Sequence, residues 1–442
     1  MTEGSIYRHM LRFALPVFIS QLFQQFYNVA DSIIVGKFLP TSALAAVSSS
    51  GNMIWLFTSF FEGVAVGAGV LISKNYGEKN KDAVDRSIHT SLAAAVVAGI
   101  ILTVFGILLT PTLLRWINTD AQVIPAATSY FRLYFAGAMG LVMYNICRGI
   151  MMALGDSRRP LYYLIFSSVL NIALDYFFVG VCRFDVWSAG FATSVAQIVS
   201  AVLCLVQLSR KSNEYRVDVR KIRIHTKEMG QIFRYGVPSG VQNSVIGLAN
   251  IIVLSQINTF GMIATATFGS CAKIEGFVFL PITSCSMAIT TFVSQNLGAR
   301  KYDRAKKGAA FGVSAAVFFA VVIAIFYVIF RVQIVSLFSK DPDVLALSKI
   351  QVGTMAPFYA FLALAHSIAA VCRGAGKASV PMYIMLGIWC VFRIAYILSV
   401  MHIFGEIRYI YWAYPITWIL SDILFVYYYF KSDWVHGFEK NV

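Results

Sequence analysis

Twelve apolar runs, each long enough to cross a bilayer, divide this 442-residue chain almost from end to end. Bounded by charged or turn residues, they cover approximately 11–35, 44–72, 84–110, 126–151, 160–182, 187–208, 231–258, 262–293, 308–330, 345–371, 380–401 and 408–430. A transmembrane helix needs about 20 such residues. Inside hydrocarbon only helices and closed barrels satisfy every backbone polar group, and runs of this length select helices. The expected fold is therefore an all-α polytopic membrane protein with twelve transmembrane helices. Composition agrees, with 58% apolar and 13% charged residues, against roughly 25% charged in a soluble domain. The first run does not read as a cleaved signal peptide. It is too long, and Gln21, Gln24, Gln25, Asn28 and Asp31 interrupt it.

The net charge of +15 reads as a topology signal once it is located. The N-terminus, the C-terminus and loops 73–83, 152–159, 209–230, 294–307 and 372–379 carry 24 Lys or Arg and 11 acids, with Arg12, Asp85 and Arg86 counted at the margins of their segments. The opposite side carries six basic residues (Lys37, Arg115, Arg183, Arg331, Lys340 and Arg408) and five acids. By the positive-inside rule both termini are cytoplasmic. The excess also attracts anionic lipid headgroups. A nucleic-acid partner would require basic and aromatic residues interleaved on a folded domain, and no run of sequence supplies one.

The chain is written twice. Ser73-Lys-Asn-Tyr-Gly-Glu-Lys-Asn-Lys-Asp82 returns as Ser294-Gln-Asn-Leu-Gly-Ala-Arg-Lys-Tyr-Asp303, at an offset of 221 residues. Gly155 and Pro160 return at the same offset as Gly376 and Pro381, and Arg12…Pro16 returns as Arg234…Pro238, displaced by one more. The repeat divides the chain into an N-lobe at 1–208, a cytoplasmic interlobe loop at 209–230 and a C-lobe at 231–442. Each half holds six spans, so both enter and leave on the same side. Two halves of equal orientation are related by a pseudo-two-fold axis along the membrane normal, an architecture used by transporters.

Charge inside the bilayer costs roughly 3 kcal/mol on insertion scales and asks for a function. Five acids lie within spans: Asp31, Glu62, Asp175, Glu275 and Asp422. At helical rise Asp31 sits about 6 Å from the outer end of its span. Asp175, with Asn171 one turn away, Tyr27 one turn below Asp31, and Thr193 fall at similar depth in the outer leaflet. The offset positions in the second half are unlike: Phe392 and Tyr396 stand for Asn171 and Asp175, and Ile252 or Val253 for Asp31. Structural polarity would be expected in both copies, so its presence in one copy points to a site. A low-dielectric cavity disfavours the charged form of a carboxylate. Such a group takes up a proton, or binds Na⁺ with help from amide and hydroxyl oxygens, at Asp31, Asn171 and Asp175. Glu62 and Asp422 read as structural. Glu275 reads either way, with Arg393 as a candidate partner.

A weaker pattern suggests a substrate cavity. Phe23, Phe26, Met139, Met143, Met287 and Met355 offer adaptable apolar surface, since Met repacks around varied ligands. Gln24, Asn28, Gln242, Asn243 and Glu275 add polar groups. Pro16, Pro238 and Pro357 within spans free carbonyls and permit bends. Enzyme signatures are missing: the seven cysteines form no Cys-x-x-Cys, the six histidines no His-x-x-x-His, and no phosphate-binding Gly-x-x-x-x-Gly-Lys-Ser/Thr loop occurs. No cofactor is expected, and transport must be ion-driven or downhill.

Several of these motifs resemble one family. Gln24-Gln-Phe-Tyr-Asn-Val-Ala-Asp31 with Val35-Gly36 and Ala43-Leu-Ala-Ala-Val47 is similar to the first-span signature of multidrug and toxic compound extrusion (MATE) transporters. So are Gln295-Asn-Leu-Gly-Ala299, Arg373-Gly-Ala-Gly376…Pro381 and Asn171-x-x-x-Asp175-Tyr. The resemblance covers about residues 8 to 430. It implies a two-lobed, twelve-helix fold and export of organic, often cationic compounds against inward Na⁺ or H⁺. It also implies a cation site in the N-lobe at Tyr27, Asp31, Asn171, Asp175 and Thr193. The family's other branch uses acids in spans seven and ten. Here span seven carries Gln242 and Asn243, and span ten has His366 and no acid.

The expected function is a bacterial-type, monomeric antiporter in the cell membrane for small amphiphilic compounds. A flippase for a lipid-linked intermediate is the alternative. It would need a wider and more basic cavity than the scarce deep Lys and Arg provide.

Overall fold

The structure, a computed structural model, describes residues 1–116, 123–210 and 215–439. Side chains are described except at 32, 41–46, 48–53, 55–57 and 116. The Ala43–Val47 motif therefore lies largely outside the described side chains, and 211–214 outside the described residues.

Among the described residues every regular element is a helix. The first half runs α1 (Ile6–Phe38), α2 (Thr41–Gly77), α3 (Lys81–Trp116), α4 (Ile124–Ala136), α5 (Ala138–Ala153), α6 (Arg158–Asp175) and α7 (Trp187–Leu208). The second runs α8 (Thr226–Asn258), α9 (Met262–Gly298), α10 (Tyr302–Ile329), the short α11 (Arg331–Val335), α12 (Pro342–Met355), α13 (Tyr359–Gly374), α14 (Ser379–Met385), α15 (Arg393–Ile403) and α16 (Ile407–Lys431). Among the described residues, nine continuous helical stretches are long and apolar enough to span a bilayer, and α4 with α5, bent by 46° at Gly137, make a tenth. The remaining spans are α1 and α2, of 33 and 37 residues. The polar run Gln21…Asp31 holds α1 below the apolarity of the others.

One break within a span has a local cause. Pro357 lacks an N–H, and the tenth span is interrupted there by a 3₁₀ turn, Ala356–Phe358. The fifth and eleventh spans each contain a π-helical turn, Tyr176–Val181 after α6 and Leu386–Phe392 between α14 and α15. Pro16 and Pro238 lie inside continuous helices.

The sequence repeat marks the ends of helices. At the end of α2, Lys79 N–H donates to Tyr76 O (3.1 Å) and Asn80 N–H to Asn75 O (3.2 Å). At the end of α9, Arg300 N–H donates to Leu297 O (3.0 Å) and Lys301 N–H to Asn296 O (2.8 Å). Both are Schellman caps, with Lys79 and Arg300 left-handed at φ 57° and 54°. A second pair ends α5 and α13, where Gly155 and Gly376 (φ 92° and 73°) take that conformation. Here Asp156 N–H bonds Met151 O and Lys377 N–H bonds Cys372 O.

Between these capped ends a hydroxyl of one helix bonds a carbonyl of the next. Ser73 Oγ donates to Ala153 O (3.2 Å), and its counterpart Ser294 Oγ donates to Gly374 O (2.8 Å). In the second half the contact extends up α9, with Thr290 to Ala370 O (3.1 Å) and Ser286 to His366 O (3.4 Å). Lipid supplies no hydrophobic drive between helices, and such bonds contribute about 0.6 kcal/mol each. Close contact adds dispersion. A Cβ on Gly67 would lie 2.2 Å from the Gly236 backbone nitrogen, so α2 and the start of α8 touch backbone to backbone.

The chain forms two compact units, one of Met1–Phe18 with Pro238–Val442 and one of Ile19–Val237. These boundaries fall inside α1 and α8, next to Pro16 and Pro238. The physical reason is packing. The first turns of α1 lie on α10, with Tyr7 edge-on to Phe311 at 4.7 Å. The described part of the loop lies along α3: Asp218 N–H donates to His89 Nε2 (3.2 Å) and His225 N–H to Thr90 Oγ1 (3.2 Å). Arg86 Nε pairs with Glu228 at 2.7 Å.

Candidate functional site

The side chains that depth alone grouped come from three helices of the Ile19–Val237 unit. On α1, Tyr27 and Asp31 stand one turn apart. On α6, Asn171 and Asp175 do the same, a spacing that puts each pair on one helix face. Thr193 joins them from the second turn of α7. Asn171 and Asp175 are fully buried, Thr193 and Asp31 nearly so.

Hydrogen bonding orders the group. The Asn171 amide is satisfied at both ends when its nitrogen faces Asp175. It then donates to Asp175 Oδ2 at 3.0 Å, and its oxygen accepts from Thr193 N–H at 3.1 Å. The Thr193 hydroxyl donates to Ala189 O at 3.0 Å, and Tyr27 is hydrogen-bonded to Thr193. The carboxyl groups of Asp31 and Asp175 lie within hydrogen-bonding reach of each other. Asp31 Oδ1 and Asp175 Oδ1 are buried with no donor, and among the described residues neither carboxyl has an ion-pair partner. Facing carboxylates repel, and a shared proton or a bound cation removes the repulsion. An Na⁺ ion is matched by oxygen donors of this kind.

Two residues of the site were not singled out from sequence. Tyr130 and Tyr134, one turn apart on α4, are buried, stack at 6.4 Å, and interact electrostatically with the group around Asp31 and Glu62. Gln197 of α7 donates to Tyr134 Oη at 3.4 Å. Their i,i+4 spacing is the available signal, but Tyr at that spacing is commonplace in membrane helices. Gly190 lets α7 approach: a Cβ there would lie 2.6 Å from Tyr130 O. The π turn beginning at Tyr176 follows Asp175 directly, and such turns recur at functional sites.

The residues expected to line a substrate cavity divide between the units. Phe23, Gln24 and Asn28 are exposed along α1. Met139 packs on Gly99 of α3, and Met143 is buried. In the other unit Gln242 is buried and bonds Met385 Sδ (2.8 Å), while Asn243 and Met287 are half-buried. Glu275 accepts from Tyr359 Oη at 3.1 Å. Arg393 does not meet it: the guanidinium donates to Thr417 Oγ1 (2.7 and 3.2 Å) and lies 4.5 Å above the Tyr414 ring. Asp422, read from the sequence as structural, is buried with no donor to either oxygen.

Comparison with known proteins bears on the whole chain. One family model, MatE, matches twice, over residues 16–177 and 238–398. A probable multidrug resistance protein of Bacillus subtilis, YoeA, is 28% identical, with 98% of this chain and 95% of that protein covered. A probable multidrug resistance protein NorM of Thermotoga maritima is 24% identical over 87% and 83%. An FAD transporter of Shewanella oneidensis is 24% identical over 78% and 77%. Among solved structures, an outward-facing multidrug resistance MATE transporter superposes with a TM-score of 0.90 at 22% identity, covering 99% of this chain and 97% of that one. The fold is thus the two-lobed, twelve-helix MATE fold that the spans predict. Matched in both of its halves by the same family model, the chain belongs to the MatE family of multi-pass membrane transporters.

Proposed function

We propose that this chain is an antiporter of the cell membrane that exports organic, often cationic amphiphilic compounds in exchange for inward H⁺ or Na⁺. It works as a monomer with both termini in the cytoplasm, and Asp31 and Asp175 carry the coupling. The observation that carries this reading is the facing, buried carboxyl pair, each with one oxygen lacking a donor, present in one half of a duplicated chain and replaced by Val253 or Ile252 and Tyr396 in the other. The names of the relatives, multidrug resistance proteins for the most part, support the substrate class. The relative named as an FAD transporter makes anionic compounds a necessary arm of any substrate screen.

In the proposed cycle the coupling cation binds the pair from the outer side, and its charge allows α1 to pack more closely on α6 and α7. That rearrangement expels the exported compound, and cation release to the cytoplasm resets the carrier. Asn171 and Thr193 hold Asp175 in place through both states. Tyr27 ties α1 to the same anchor.

The test is counterflow in proteoliposomes with pH and Na⁺ gradients imposed one at a time. Asp31→Asn is expected to abolish gradient-driven export while the protein remains folded and inserted. Export by this variant at the wild-type rate would overturn the assignment.

A further inference from the structure

The cytoplasmic end of the second half carries a basic depression that coupled export does not use. It has a volume of about 500 Å³ and lies where the α9–α10 turn meets the segment after α16, with Arg300, Lys301, Tyr302, Arg304, Lys306 and His436 in its wall. Arg304 is a fixed part of that wall. Its guanidinium donates to Met1 O (3.1 and 3.3 Å), Glu3 O (3.1 Å) and Gly4 O (2.8 Å). These acceptors are neutral carbonyls, so its charge is not cancelled. Arg300 and Lys306 are exposed, and among the described residues neither forms an ion pair. The neighbouring acids are otherwise engaged or only weakly placed: Asp433 pairs with His436 at 2.7 Å, Glu439 bonds the Tyr302 hydroxyl, and Glu3 lies 3.9 Å from Lys301. Asp303 lines the depression as its one acid.

The duplication supplies an internal control. Residues 300–307 carry a net +4, and the corresponding 79–86 carry +1. Both segments make the same cap between helices, with the same left-handed basic residue at its head. The cap therefore does not require the extra charge. Ala83 and Asp85 stand where Arg304 and Lys306 stand in the second copy. The last turns of α16 present Tyr427 and Phe430, 67% and 78% exposed, just before the segment that supplies His436. Exposed aromatics at the end of a span lie at the headgroup level.

We propose that this depression binds a phosphate-bearing anion at the cytoplasmic headgroup level. Arg300 and Lys306 are the mobile arms and Arg304 the fixed wall. A guanidinium fork and an ammonium together match the oxygens of a phosphate. The anion is either the headgroup of an acidic phospholipid or a soluble phosphate.

The test uses the full chain in neutral detergent, titrated separately with phosphatidylglycerol, phosphatidylcholine and inorganic phosphate. Thermal stability and retained adducts in native mass spectrometry are the readouts. Phosphatidylglycerol or phosphate is expected to bind and phosphatidylcholine is not, and which of the two binds identifies the source. Arg300→Ala with Lys306→Ala is expected to weaken binding roughly 10- to 30-fold, at about 1 kcal/mol for each basic group near a membrane surface. Lys79→Ala with Lys81→Ala removes the same charge from the first copy and should leave binding unchanged. Equal losses in the two double variants, or no preference for the anionic ligands, would overturn the proposal.

Discussion

In the proposed exchange, Asp31 and Asp175 act through what surrounds them. Asn171 is the donor that holds one oxygen of Asp175, and a hydrogen bond to a charged acceptor contributes about 1.5–3 kcal/mol. Replacing Asn171 with Leu should therefore weaken coupling-ion affinity roughly tenfold or more, read as a shift in the Na⁺ or pH dependence of counterflow. An unchanged dependence would remove Asn171 from the site. Outside the membrane, Glu228 shows a separate residue-level effect. Burial pushes its carboxyl up, but the hydrogen bond from Arg86, a backbone N–H and the charge of Arg86 together outweigh burial and hold it below the usual carboxylate range. A carboxyl lowered in the folded state stabilises above its unfolded value of about 4.3. That stability is lost as pH falls through the lower folded value. Arg86→Ala should loosen the 215–228 segment at neutral pH by about 1 kcal/mol at most, since Arg86 is partly exposed. Wild type and variant should converge once pH falls below that lowered folded value. Proteolysis or hydrogen exchange across this segment measures both. The spacing of the five site residues was legible because polar groups are rare at that depth. Tyr130 and Tyr134 were not, because aromatic side chains are common in any span.

At the level of elements, what the two halves share is how helices end. The islands that match at an offset of 221 are the caps after α2 and α9 and after α5 and α13. A left-handed residue and two specific backbone bonds restrict sequence there, whereas a lipid-facing surface accepts any large apolar side chain. The same reasoning explains why spans were readable and their breaks were not. The bend at Gly137 and the two π turns depend on what packs beside them, and Gly137 lies against Ser194. Close helix contacts give a prediction at this scale. Gly190→Val would drive a side chain into the Tyr130 carbonyl and separate α7 from α4. Overpacking of this kind costs about 1–3 kcal/mol. The expected result is a lower melting temperature in detergent together with loss of export. Gly269→Ala, where a Cβ meets nothing within 4 Å, should leave both unchanged. A melt that ranks the two equally would show that the α4–α7 contact is not limiting.

For the whole molecule, orientation and energy source are the properties to be measured. The charge distribution predicts that Lys340 faces outward and Lys301 inward. In a Cys182→Ser background, whose other six cysteines are buried, an impermeant maleimide should label Lys340→Cys in intact cells. It should label Lys301→Cys only after lysis. The reverse pattern would invert the topology and, with it, the direction of the proposed exchange. The two units divide within α1 and α8 beside Pro16 and Pro238. Each of these helices therefore contributes residues to both units.

By itself, the amino-acid sequence determined the twelve spans, the duplication, the side on which positive charge lies and the five polar residues of the first half. Each follows from the cost of placing charge or unpaired backbone in hydrocarbon, a cost set by the solvent and independent of which helices meet. Only the tertiary structure decided which groups face one another. It brought Asp31 to Asp175, sent Arg393 to Thr417 instead of Glu275, and left Asp422 without a donor. It also assigned the first turns of α1 to the second half of the chain. Partner choice depends on helix rotation and close contact at small residues such as Gly190 and Gly67, and hydrophobicity along one strand of sequence does not encode either.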